Sequence, residues 1–311
     1  MADSWQPAYL NLLASGELHE RARQAYQHLE ACDCCPRKCR KNRLAGERGI
    51  CRTGARARIS NFGAHLGEED PLRGWRGSGT IFFTGCSLHC QFCQNYEISQ
   101  MDTGTEIGTE QLAAIMLDLQ EAGCHNINLV TPTHVVPQIL AAVNLAAHNG
   151  LHLPLVYNTG GYDSLEMLRL LDGIIDIYMP DMKYASSQIA RYYSKAPHYP
   201  EINQAAVLEM HRQVGDLQME KHGLAQRGLL VRHLVLPYDL AGTAEIVRFL
   251  AEQISRDTYL NLMDQYRPAF QARLYPKLAR PIKTQEYQEV VKLAHSAGLH
   301  RLDQPKRRIW L

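Results

Sequence analysis

Through most of its length the chain alternates short apolar runs with longer stretches whose apolar positions recur every three to four residues. The short runs are residues 80–84 (TIFFT), 127–130, 153–157, 174–179, 229–236 and 259–263. They are too short for buried helices and too uniformly apolar for half-exposed strands, which predicts buried β-strands. Helical spacing marks 110–122, 134–147, 164–172, 202–219, 244–255 and, after the last run, 284–297. Six β-then-α units in series predict parallel strands with helical crossovers, so an α/β chain built as an open six-stranded barrel or a doubly wound sheet. In either architecture ligands bind beyond the carboxyl ends of the strands, and polar residues collect after each run here.

The first quarter is different. Leu12, Leu13, Leu18, Ala22, Ala25 and Leu29 fall at helical spacing and predict a helix or helical hairpin over 5–30. Residues 32–78 are rich in Cys, Arg and Gly with little periodicity, the pattern of backbone ordered by metal rather than by a core. Residues 74–79, GWRGSG, read as a linker. The expected division is therefore 1–78, a helix and Cys-rich lobe, and 79–311, the α/β core with a C-terminal extension. Of the 311 residues 45% are hydrophobic and 21% charged, which excludes wholesale disorder. Lys plus Arg number 33 and Asp plus Glu 32, a net charge of +1 that gives no support to a nucleic-acid or membrane-surface partner. No apolar run approaches the roughly 18 residues of a membrane span, and the start, MADSWQPAYLNLL, lacks the pattern of a signal peptide. The expectation is a cytoplasmic protein.

Nine cysteines sharpen the chemistry. Clustered thiols in a chain of this size argue for metal rather than disulfides. Cys86, Cys90 and Cys93 form C-x3-C-x2-C directly after the first strand. Three thiolates leave one iron of a cubane cluster open, and an open coordination site makes a metal centre reactive. The alternative is zinc with a fourth ligand such as His89. Cys32, Cys35, Cys39 and Cys51 form C-x2-C-x3-C-x11-C, enough for a closed structural zinc site or a closed [4Fe-4S] cluster, with Cys34 spare. Cys124, alone at a helix end, reads as a small buried hydrophobe.

The segment GCSLHCQFCQN resembles the radical SAM superfamily, and CCPRKCRKNRLAGERGIC, NLVTPTHVVPQI, YNTGGYD, YMPDMKY, VRHLVLP and LNLMDQY extend a resemblance to pyruvate formate-lyase activating enzymes, especially their PflX-type homologues, over nearly the whole chain. That resemblance implies a partial (β/α)6 TIM-like barrel. It implies a [4Fe-4S] cluster on Cys86, Cys90 and Cys93 that binds S-adenosylmethionine (SAM) and cleaves it to a 5′-deoxyadenosyl radical. Phe92 would lie by the adenine. The family's Gly-Gly-Glu segment, which binds the SAM amino group, is replaced by Thr131-Pro132-Thr133-His134, so Thr131 and Thr133 become the candidates for that contact. Asn158-Thr159 resembles an Asp-Thr pair that helps hold a monovalent cation and the SAM ribose. Met179, Asp181 and Lys183 match Met-x-Asp-x-Lys, where the Met carbonyl and Asp bind the cation and the Lys reaches the SAM carboxylate. His233 resembles a SAM-contacting histidine. The partners implied are an electron donor such as flavodoxin or ferredoxin and a glycyl-radical enzyme as the protein to be activated.

Each residue also has an ordinary explanation. Asp181 and Lys183 could be a solvated ion pair, although their two-residue spacing puts both on one face of an extended segment after a buried strand. Arg232 and His233 are strand neighbours that point to opposite faces, and only one can look inward. Gly160-Gly161 could simply supply a positive-φ turn. His134, Gln265 and Tyr266 follow strands and are candidate substrate contacts. The functional alternatives are hydrogen abstraction from a glycyl-radical protein, the same chemistry on a small molecule, and a non-catalytic iron-sulfur or zinc protein that senses redox state or binds a partner.

Overall fold

A computed structural model describes residues 5–303. Helices α1 (Tyr9–Ser15) and α2 (Glu17–Gln27) are separated by Gly16, whose φ of 78° turns the chain between them. After the cysteine-rich segment come β1 (Ala57–His65), α3 (Asp70–Arg73), β2 (Ser78–Phe83), α4 (Tyr96–Gln100) and β3 (Thr105–Ile107). The alternating part continues as α5 (Thr109–Glu121), β4 (Ile127–Val130), α6 (Val136–His148), β5 (Leu155–Thr159), α7 (Leu165–Leu170) and β6 (Ile177–Pro180). Then follow α8 (Ser187–Ser194), α9 (Tyr199–Val214), β7 (Gln218–Met219), β8 (Ala225–Leu234), α10 (Thr243–Phe249), β9 (Tyr259–Met263) and α11 (Thr284–Ser296).

Strands β2, β4, β5, β6, β8 and β9 run parallel in that order. All residues of β4, β5 and β6 are buried, because helices cover one face and the barrel interior the other. Among the described residues no ladder joins β9 back to β2, so the barrel is open along one side. The six runs read from the pattern are the six parallel strands.

Four local expectations differ from what is observed. The aperiodic segment contains β1, which pairs antiparallel with β2 and carries β3 on its other edge, so the sheet begins before residue 79. Its outer half is exposed, which hides the alternation. Ser78 and Gly79, assigned to the linker, are the first residues of β2. The helix expected over 202–219 stops at Val214, where Gly215 adopts φ 71°, and Gln218–Met219 instead pairs with β8. His134 precedes α6 rather than opening it.

Two cores result. The larger lies between the sheet and its helices. The smaller is aromatic and caps the carboxyl ends of the strands, packing Phe92, Tyr162, Tyr184, Tyr199 and Tyr266 around Cys90. The cysteine-rich lobe is fastened to this end. Arg43, only 1% exposed, donates from Nε to the Gly54 carbonyl (2.9 Å) and from Nη1 to the His134 carbonyl (2.8 Å). Arg37 Nε donates to the Ser87 carbonyl inside the Cys86–Cys90 loop (2.8 Å).

Candidate functional site

The loop after β2 carries Cys86, Cys90 and Cys93 to the carboxyl end of the sheet. Gly85, at φ 78°, starts it, and a β-carbon there would lie 2.2 Å from the Cys51 carbonyl oxygen, so the two cysteine segments touch at this residue. The Leu88 amide donates to Cys86 Sγ (3.3 Å), the Ser194 hydroxyl donates to Cys90 Sγ (3.0 Å), and Cys93 Sγ lies 3.2 Å from Ser99 Oγ. Burial pushes the Cys90 thiol up to about 11, against the Lys183 ammonium, which favours its thiolate. Burial also raises Cys86, with the Cys90 and Cys93 sulfurs adding to it. Three thiols sharing one low-dielectric pocket with a lysine are suited to an electrophilic metal group that holds them deprotonated.

The spacing of the sulfurs bears on which group. A tetrahedral zinc with bonds of about 2.3 Å would hold its thiolates about 3.8 Å apart. Among the described residues, the one set of three or more His, Cys, Asp or Glu with all ligand atoms within 4.8 Å is His28, Asp33 and Glu166. Neither cysteine group is therefore drawn in to single-ion spacing, whereas a cubane spreads its thiolates over separate irons. His89 lies near Arg37 and Arg52; burial first, then Arg37, lowers its basicity, and its buried Nε2 has no hydrogen-bond partner.

The other side of the pocket is built by β4, β5, β6 and β8. Asp181 follows β6; its Oδ2 accepts from Lys183 Nζ (2.5 Å) and its Oδ1 from Arg232 Nε (2.9 Å). Arg232 Nη2 also donates to Asn158 Oδ1 (2.8 Å). Burial alone would raise the Asp181 carboxyl, but the two cations beside it hold it below its usual range. Burial alone would lower Lys183, yet Asp181 and the Cys90 sulfur keep its ammonium favoured. Met179 is paired in register with Asn158, which aligns the two strand ends.

Behind β4 and β5 lies the carboxylate that ends the segment YNTGGYD, to which the resemblance gave no role. Asp163 accepts from the hydroxyls of Thr133 (2.7 Å), Thr159 (2.7 Å) and Tyr157 (2.9 Å). Burial raises its carboxyl and the three donors oppose that. The Thr133 and Thr159 oxygens also lie 3.0 Å apart, within reach of each other's hydrogens, and Thr159 accepts from the Gly161 amide (3.2 Å). Thr131 sits in front with φ 62°, a left-handed backbone that a β-branched residue rarely adopts and that strained functional turns often hold. Its amide donates to the Asn158 carbonyl (2.9 Å). The Gly160-Gly161 turn is obligatory: Gly161 has φ 72°, and a β-carbon there would lie 2.2 Å from the Asp181 carbonyl oxygen. Tyr199 and Asn203 of α9 hold the same turn to the end of β6, through the Gly160, Gly161 and Asp181 carbonyls.

Four of the sequence candidates stand elsewhere. His233 faces away from the pocket, fully buried, donating from Nδ1 to the Met182 carbonyl (2.6 Å) and accepting at Nε2 from Thr243 (2.9 Å). Its neighbour Arg232 takes the inward position. His134 is 1% exposed, with Nε2 donating to the Thr84 carbonyl (2.9 Å) and Nδ1 unpartnered. Tyr266 is buried too; its hydroxyl donates to the Leu278 carbonyl (2.7 Å) and its ring meets Phe92 edge-on, centroids 5.8 Å apart. Only Gln265 stays exposed, lining a cavity of about 390 Å³ with Asp264, Glu69, Asn261 and Arg232. That cavity fills the open side of the barrel, and Arg232 forms the wall it shares with Asp181 and Asn158.

In the lobe, Cys32, Cys35, Cys39 and Cys51 act on one another electrostatically, and Arg43 Nη1 lies 3.8 Å from Cys32 Sγ. The Arg43 Nη2 atom is buried without a partner. Cys34 donates to Cys32 and lowers its thiol well below the ordinary value. Cys124 is buried, as a small hydrophobe would be.

The sequence model of the Radical SAM superfamily matches residues 80–250. The uncharacterized protein MJ0674 of Methanocaldococcus jannaschii is 30% identical over 278 residues, covering 86% of this chain and 75% of that protein. Among solved structures, a radical SAM methyltransferase from Sphaerobacter thermophilus is similar at 15% identity and a TM-score of 0.47, over 71% of this chain and 64% of its own. HydG, a maturase of the [FeFe]-hydrogenase, is similar at 13% identity and a TM-score of 0.49, over 69% of this chain and 48% of its own. The chain thus spans less than two thirds of the length of either structure. With the family model covering more than half of the sequence, and with three thiols, a lysine and a carboxylate gathered where a parallel sheet presents its carboxyl ends, the chain belongs to the radical SAM superfamily.

Proposed function

We propose that Cys86, Cys90 and Cys93 hold a [4Fe-4S] cluster, that SAM binds between it and the ends of β4, β5 and β6, and that the chain removes a hydrogen atom from a small molecule. When bound and reduced, the cluster supplies the electron that splits the SAM sulfonium into methionine and a 5′-deoxyadenosyl radical. The observation that carries this reading is the meeting of the three thiols with the Asp181–Lys183 pair in one buried pocket.

The chain's own groups divide the work of binding. Lys183, a compact ammonium, suits the SAM carboxylate. The SAM ammonium needs acceptors, and Thr133 supplies one because Asp163 fixes its hydroxyl hydrogen away from the pocket. The family's carboxylate is in effect set one layer back. Phe92, held edge-on by Tyr184 and Tyr266, offers a face for the adenine. The substrate enters the cavity beside Arg232. The lobe covers one flank of the cysteine loop through Arg37, and residues 271–278 cover the other through Gln91. This double covering favours a small molecule over the glycine loop of a glycyl-radical enzyme. A flavodoxin or ferredoxin would donate the electron.

For the lobe we propose a second [4Fe-4S] cluster on Cys32, Cys35, Cys39 and Cys51. The sulfur spacing argues against a single zinc, and the unpartnered Arg43 Nη2 gains an anionic group to meet.

The test is anaerobic. Reconstituted protein should carry about eight irons per chain and form 5′-deoxyadenosine from SAM and dithionite, and Cys90→Ala should form none. Zinc alone, with no SAM cleavage, would return the chain to a binding or sensing role. Transfer of a hydrogen from the glycine of a glycyl-radical protein into 5′-deoxyadenosine would restore the activase assignment.

A further inference from the structure

The resemblance to activating enzymes carries an expectation of a monovalent cation held by the residues after β5 and β6. The residues of this chain do not fit one. A cation needs oxygen lone pairs turned towards it, and the side-chain oxygens of this site face N–H and O–H donors instead. Asp181 Oδ1 takes Arg232 Nε and Oδ2 takes Lys183 Nζ. Asn158 Oδ1 takes Arg232 Nη2. The Thr159 hydroxyl donates to Asp163 and accepts from the Gly161 amide.

Charge points the same way. Where the family has an aspartate this chain has Asn158, so one negative charge that would attract a metal ion is gone. The remaining carboxylate, Asp181, already lies between two fixed cations. A guanidinium is planar, permanently charged and forked, and two of its nitrogens meet the ends of two different strands here. It spans them as an ion would, while its stem is anchored on β8.

We infer that the Arg232 guanidinium permanently takes the place of the monovalent cation, so that this chain binds SAM without a metal ion at that position. The inference rests on the reading that SAM lies beside Asp181 and Lys183.

The experiment compares choline chloride, sodium chloride and potassium chloride at equal ionic strength, on the anaerobically reconstituted full chain. Two readouts are taken: the melting temperature, which needs no SAM, and SAM affinity by calorimetry. The wild type should melt at the same temperature in all three salts and bind SAM within about twofold in each. Arg232→Ala opens the space and leaves Asp181 facing Lys183 alone. It should bind SAM at least about tenfold more weakly in choline, a loss of about 1.4 kcal/mol, and recover in sodium or potassium. Its melting temperature should rise in the same salts. Arg232→Lys, which keeps the charge, should stay salt-independent and serves if the alanine variant does not fold. A wild type whose melting or SAM affinity depends on sodium or potassium at constant ionic strength would overturn the inference. So would an alanine variant with wild-type SAM affinity in choline. If SAM binds in none of the salts, the SAM reading fails, and the melting comparison still decides whether the site takes a cation.

Discussion

Three hydroxyls converge on Asp163, and the loss of its charge tests what they are for. Asp163→Asn keeps the shape but puts an amide N–H₂ opposite at least one hydroxyl, which must then turn its hydrogen into the pocket. SAM affinity should fall about fivefold with little change in fold, since one donor–acceptor pair is worth about 1 kcal/mol; calorimetry on the reconstituted protein reads it. Gly161→Ala meets the Asp181 carbonyl oxygen and a positive φ together. It should destabilise by about 2 kcal/mol or more in denaturant unfolding, because the turn has no room to relax. His134 gives a pH dependence. Burial first, then the nearby Arg43, lowers its ring to about 4. The folded state then binds fewer protons than the unfolded chain from about pH 6.5 downwards, so stability falls as pH drops through that window. His134→Gln, which can still donate to the Thr84 carbonyl, should lose about 2 kcal/mol less than the wild type between pH 7 and 4.5. At this scale the three thiols were legible because spacing and strand position coincide. The inward side chain of β8 was not, because strand alternation says only that Arg232 and His233 differ, and burial decides which one faces the pocket.

At the scale of elements, continuous apolar runs identified the six parallel strands because their two buried faces leave no polar interruption. β1 was missed since half of it is solvated, and α8 since its eight residues, SQIARYYS, offer too few turns for a period to show. Both matter to the site. α8 ends at Ser194, whose hydroxyl meets Cys90, and the next helix, α9, begins with Tyr199. Removing the cysteine and removing its support should therefore part company. Cys90→Ala should lose about four irons per chain with a wild-type far-ultraviolet spectrum, since the larger core excludes this loop. Ser194→Ala should keep the iron and alter the spectrum of the reduced cluster, measured by electron paramagnetic resonance.

The whole molecule is a parallel open barrel with its cysteine lobe clamped over the reactive end. Arg43 and Arg37 are the clamps, each fixed by carbonyls far along the chain. Their guanidinium groups were visible in the sequence only as a basic run beside the cysteines, and nothing in that run reveals the carbonyls they meet. Removing the lobe's charge partner should loosen this clamp. Cys39→Ser is expected to make the Cys86–Cys93 loop more accessible to hydrogen exchange, with the barrel helices unchanged. The connection also sets an order of assembly. The lobe's thiols leave the ribosome first, but the carbonyls that anchor Arg37 and Arg43 belong to Ser87 and His134. The strap over Gln91 belongs to residue 271. Until residue 271 has been made, the loop between Cys90 and Cys93 therefore lacks this covering strap, and its thiols are open on that flank.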